Sequence, residues 1–113
     1  RDLPRSVFLG LLRDAAVLVG NSSSGIIEAA STGTPVVDIG PRQAGREHSA
    51  NLTHVAYDGR AILTVLKRFW NVGRPRRSRC RNVYGGGHAG RRIAQSLASI
   101  SLDERLRRKL IAY

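Results

Sequence analysis

An α/β fold with a mostly parallel sheet is what this sequence predicts, on three observations. Two short apolar runs, Ala16–Val19 and Pro35–Ile39, are each closed by a glycine, Gly20 and Gly40. Both are too brief for buried helices and read as buried strands. Helical patterns alternate with them across short connections, which is how parallel strands are joined.

The elements follow in order. Pro4 stands just inside a helix start, with Asp2 as a cap, and Val7, Phe8, Leu11 and Leu12 fall on one helical face. That helix is expected to end near Arg13–Asp14. After the first strand a second helix is expected from about Ser24 to Thr32, stopped by Gly33 in the usual position after a helix. Beyond the second strand, Pro41 to Ala50 is a polar loop, and Leu52–Tyr57 alternates as a third strand. Ile62, Val65, Leu66 and Phe69 mark a helix over Gly59 to Trp70, and Gly73–Arg81 reads as an exposed connector. After the glycines 85–87, Ile93, Leu97 and Ile100 support another helix. Leu106, Leu110 and Ile111 support a last one from Leu102. No internal repeat is visible. Three strands are fewer than the about five or six of a doubly wound domain, so edge strands are expected to precede Arg1.

Composition narrows the class. The 113 residues are 42% hydrophobic, enough for one small globular domain. There is no methionine, and the first residue is Arg1, so the chain is expected to be part of a longer protein or a processed one. The net charge is +11, from 19 Lys+Arg against 8 Asp+Glu, which suits an anionic partner. Arg74, Arg76, Arg77, Arg79 and Arg81 crowd one stretch, and Arg105, Arg107 and Arg108 another. Both clusters read as solvated surface, and the first lacks the interleaved aromatics of a nucleic-acid reader. The single cysteine, Cys80, rules out an internal disulfide and a cysteine-rich zinc site. No apolar run reaches the ~20 residues that span a bilayer. The cytosol is the expected compartment, and assembly with further copies stays open.

The chemistry gathers at Asn21-Ser22-Ser23-Ser24-Gly25-Ile26-Ile27-Glu28. A buried strand runs into a serine-rich turn and then a helix, at the carboxyl edge of the sheet where open α/β folds bind ligands. Free N–H groups at a helix start suit a phosphate, and Ser22 and Ser23 add hydroxyls. Gly25 would let backbone approach a ligand. One serine would suffice as a cap. Glu28 lies four residues after Ser24, outside the capping-box spacing, so it is read as a carboxylate for vicinal ribose hydroxyls. Arg42 and Arg46 follow the second strand and offer guanidinium forks to a diphosphate. His48, His54 and His88 are scattered and read as loop or surface residues.

Taken together, Gly20–Gly25 with Glu28, Gly33-Thr34-Pro35 and Gly40 to Glu47 resemble the UDP-N-acetylglucosamine 2-epimerases, most of all the hydrolysing kind. Asn82-Val83-Tyr84-Gly85, with Gly87, Ala89 and Arg92-Ile93, is similar to that family's C-terminal signature. The resemblance implies a Rossmann-like three-layer domain, the C-terminal half of a GT-B-like fold, with residues 1–113 as the UDP-binding domain. It implies UDP phosphates on Ser22 and Ser23, ribose on Glu28, a UDP contact from Arg42 and uracil at the Leu3 backbone. Asn21, Gly25 and Arg46 would support them. UDP and UDP-N-acetylglucosamine are the implied ligands, and an N-terminal domain the implied partner. The family's acid–base residues would precede Arg1, so the chain alone is expected to be inactive. No metal and no cofactor are implied. Gly86 stands where the family often has aspartate, and Ser24 where some relatives have cysteine. Two rivals remain: a GT-B glycosyltransferase domain, disfavoured by Arg42-Gln43 with Gly45-Arg46-Glu47, and a basic nucleic-acid-binding protein.

Overall fold

The computed structural model describes residues 2–70, 77–101 and 103. Helix α1 spans Arg5–Asp14, β1 Leu18–Gly20, α2 Glu28–Thr32, β2 Val36–Ile39, β3 Leu52–Val55, α3 Gly59–Trp70 and α4 Ala89–Ser99. The strands form one three-stranded parallel sheet in the order β1-β2-β3. With its flanking helices this is the Rossmann-like α/β arrangement expected. The helix expected beyond Leu102 and the arginines at 74 and 76 lie outside the described residues.

Register explains the core. Leu18, Val36 and Leu52 pair across the strands and face one side. Leu12 of α1, Ile26 from the turn before α2 and Ala29 of α2 close over them, with Phe8 alongside. Phe8 and Leu12 are four apart and form the true seam of α1. Val7 and Leu11, expected on the same face, are 47% and 58% exposed because they sit a further step round the helix. Asp2 is not the cap either: Pro4 holds that place without a side-chain hydrogen bond, and its carbonyl accepts the Phe8 N–H at 3.0 Å. The strands shift slightly from expectation, β1 taking in Gly20 and β3 stopping at Val55.

Two departures bear on function. The expected Ser24–Thr32 helix is split into a 3-10 turn over Ser23–Gly25 and the five-residue α2. The Ser22 hydroxyl takes the Ser24 N–H at 3.3 Å, the local competition that makes serines poor helix formers. Ser23 O accepts from both Ile26 and Ile27, so the chain tightens before it relaxes into α2.

The second departure is the arginine-rich connector, which docks from Arg77 onward. Gly33 ends α2 with φ 67°, and a Cβ there would stand 2.5 Å from Ser78 O. Ser78 N–H donates to Gly33 O at 2.9 Å. The Arg77 guanidinium donates to Thr32 O at 3.3 Å, to the Thr34 hydroxyl at 3.0 Å and to the carbonyls of Arg13 and Ala15. It thus caps the carboxyl ends of α1 and α2 with one charge. Arg77→Ala is expected to cost about 2 kcal/mol, in the range for hydrogen bonds to a charged group. Arg77→Lys should recover only part, since an ammonium lacks the planar fork. Urea unfolding measures both; a loss below ~0.5 kcal/mol for the alanine variant would show the cap to be idle.

Candidate functional site

The candidate site residues gather at the carboxyl edge of the sheet, and Asn21 is their junction. Its side-chain oxygen accepts from Arg42 Nη1 at 3.3 Å, and its main-chain oxygen accepts from Gln43 Nε2 at 2.7 Å. The turn after β1 and the 3-10 turn Pro41–Gln43 after β2 are therefore tied side by side. This brings Arg42 to the serine turn. Ser22 is exposed, with Ser23 and Asn21 half-buried beside it. Arg46 stays exposed in the loop; its backbone N–H reaches Gln43 O at 3.2 Å, and no side-chain contact among the described residues draws it to the turn.

Gly25 is buried against the sheet, and a Cβ would meet Val36 Cγ1 at 2.8 Å. Its missing side chain lets the turn sit down on β2.

Glu28 opens α2 instead of lying one turn inside a longer helix. Its side chain is 19% exposed, and Arg5 Nη1 approaches Oε1 at 3.5 Å. Leu3, 53% exposed, lies two residues before Arg5 at the same end of α1. Between α1 and α2 runs a cleft of about 570 Å³, lined among others by Arg5, Leu9, Arg13, Glu28, Asn82 and Tyr84. Arg13 is already engaged: its Nε donates to Asp14 Oδ1 at 2.8 Å. That hydrogen bond holds the Asp14 carboxyl below, and the Arg13 guanidinium above, its ordinary pKa.

The C-terminal signature braces this cleft. Asn82 Nδ2 donates to Ile27 O at 2.9 Å and to Ser31 Oγ at 2.7 Å, while Asn82 Oδ1 accepts the Tyr84 N–H. The Tyr84 hydroxyl donates to Glu47 O at 2.9 Å. Asn82 and Tyr84 thereby link α2 to the loop after β2.

Two of the histidines are not scattered. Asp38, 2% exposed, pairs in register with His54, and His54 Nδ1 lies 2.7 Å from Asp38 Oδ2. The approach is close but poorly aligned, so Oδ2 has no hydrogen-bond partner among the described residues. The His48 ring stands edge-on to His54, with centroids 5.0 Å apart. Nothing in single-residue spacing announces this group; only the parallel register of β2 and β3 assembles it. Spacing likewise assigns no role to Gln43, Arg5 or Asn82. Among the described residues no three His, Cys, Asp or Glu side chains are arranged to hold a metal ion.

The parallel α/β sheet thus carries a hydroxyl-rich turn, an arginine and a helix-borne carboxylate near its carboxyl edge, where open α/β folds take their ligands. The comparisons make this specific. Residues 1–98 match the family of UDP-N-acetylglucosamine 2-epimerase, and the chain belongs to that family. It is 41% identical over all of its 113 residues to the UDP-N,N'-diacetylbacillosamine 2-epimerase (hydrolyzing) of Legionella pneumophila. It is 37% identical over 67 residues, 59% of its length, to the UDP-N-acetylglucosamine 2-epimerase of Neisseria meningitidis. The chain spans 29% of the length of the Legionella protein and 18% of the Neisseria one. Among the described residues no helix is long and apolar enough to cross a membrane.

Proposed function

We propose that this chain holds the UDP of a UDP-activated 2-acetamido sugar in a hydrolysing 2-epimerase, with UDP-N-acetylglucosamine as substrate and N-acetylmannosamine plus UDP as products. The observation that carries this is the double attachment of Arg42 and Gln43 to Asn21, which sets a guanidinium against the serine turn. The diphosphate would take Ser22, Ser23 and Arg42. The ribose hydroxyls would take Glu28, replacing its long contact with Arg5, and the uracil would lie by Leu3.

In the reaction a base removes the proton at C2, and the C1–O bond breaks with its electrons going to UDP. Water then adds to the resulting glycal. Negative charge grows on the departing diphosphate, so donors fixed in place beforehand lower the barrier. The base and the acid belong to an upstream domain in this reading. A second sugar is supported by the Legionella relative, similar along the whole chain and named for UDP-N,N'-diacetylbacillosamine.

Calorimetry with UDP, UMP and uridine tests the reading. UDP is expected to bind tightest and uridine weakest, because each phosphate adds charge opposite Arg42. Equal affinities for UDP and uridine would remove the phosphate assignment. Assayed alone with UDP-N-acetylglucosamine, the 113 residues are expected to bind without releasing N-acetylmannosamine.

A further inference from the structure

We infer that Gln43 is a positioning residue: its buried side chain fixes the Asn21–Ser22 peptide so that the Ser22 N–H faces the diphosphate. The inference rests on the diphosphate reading above and adds a residue to it.

Gln43 is 4% exposed, although it lies in a loop between exposed neighbours. Its Nε2 donates to Asn21 O at 2.7 Å, the shorter of the two bonds at that junction. Its Oε1 is buried and has no hydrogen-bond partner among the described residues. Burying an amide with half of its capacity unused costs folding free energy. An apolar side chain of the same shape would avoid that cost, so the residue is poorly explained by stability.

Peptide geometry supplies the reason. The described peptide bonds include no cis bond, so the carbonyl of Asn21 and the N–H of Ser22 point in opposite directions in one rigid plane. When Gln43 draws the carbonyl inward, the N–H is turned outward. The Ser22 N–H has no hydrogen-bond partner among the described residues, and Ser22 is exposed. Arg42, the residue next to Gln43, holds the same asparagine from its side chain. The arginine and the amide are thus set by adjacent residues of one 3-10 turn, and both donors meet the same anion. Donors held in position before the ligand arrives need no reorganisation when it binds.

Titrating UDP and uridine into the wild-type chain and into Gln43→Met, with amide-resolved NMR on the wild type, tests this. In the variant the preference for UDP over uridine is expected to fall about tenfold, the scale of one hydrogen bond to a charged group, with uridine affinity unchanged. In the wild type the Ser22 amide should move downfield with UDP and stay still with uridine. A wild type that binds UDP no better than uridine would sink the diphosphate reading itself. A wild type that prefers UDP, beside a variant that keeps the whole preference, would overturn the role of Gln43 alone. Should the variant lose uridine binding too, its fold has failed and the Ser22 amide decides: a resonance indifferent to UDP overturns the inference.

Discussion

Glu28→Gln is expected to weaken UDP binding by about 10- to 100-fold while leaving the melting temperature nearly unchanged. A carboxylate accepting from two ribose hydroxyls makes charge-assisted hydrogen bonds worth about 1.5–3 kcal/mol, and the amide can replace only part of that. Stability should hardly respond. Among the described residues Glu28 pairs with Arg5 at 3.5 Å, and the Arg5 side chain is 75% exposed. Pairs of that kind contribute about 0–1 kcal/mol. Repeating the titration with 2′-deoxy-UDP isolates the contact. Loss of the 2′-hydroxyl should penalise the wild type and hardly touch the variant, because the two changes remove the same interaction. A variant with wild-type affinity and a lowered melting temperature would make Glu28 structural.

Long-period patterns were legible in the sequence, and short-range geometry was not. The ten residues of α1, the twelve of α3 and the eleven of α4 follow apolar spacing and run where expected. Both glycine-closed runs became parallel strands, since a short apolar segment between turn residues has few other places to go. The second helix broke because three serines and a glycine prefer local hydrogen bonds and close packing to an α-helical start. The exposed Ile93 and Leu97 of α4 show the limit of periodicity, which predicts a helix but not whether its apolar face is covered.

The site residues divide in the same way. Asn21, Ser22, Ser23 and Arg42 follow strand ends, so the carboxyl-edge rule finds them, and the Arg42–Asn21 contact joins them. Gln43 and Asn82 act by reaching carbonyls 22 and 55 residues away. Arg77 does so across 45 to 64 residues. Such long-range side-chain-to-backbone bonds leave no local signal. The Asp38–His54 contact depends on register, and a shift of one residue would turn the two groups to opposite faces.

Ile26→Ala is expected to be the most damaging single substitution in the described core, at about 2–5 kcal/mol. Ile26 is 1% exposed and belongs to one core cluster with Leu12, Ala29, Val36 and Leu52, which come from both helices and the sheet. Removing its three outer carbons leaves a cavity that these neighbours cannot easily close. Gly25, just before it, sits so near the sheet that a Cβ there would meet Val36 Cγ1 at 2.8 Å, which leaves the turn little room to sink further. Domains of this size are stable by only about 5–15 kcal/mol, so the loss takes a large share. Ile26→Val removes one carbon and should cost about 0.5–1.5 kcal/mol. Because Ile26 seats the serine turn, ligand linkage should show in the milder variant. UDP at about 100 times its Kd adds roughly 2.7 kcal/mol to any fold that binds it, and Ile26→Val should gain nearly that much. Urea unfolding of both variants, with and without UDP, gives all four numbers. A cost for Ile26→Ala no larger than that of Ile26→Val would mean that the cavity collapses, and that the turn carrying Ser22 and Ser23 is not held in place by its packing on the sheet.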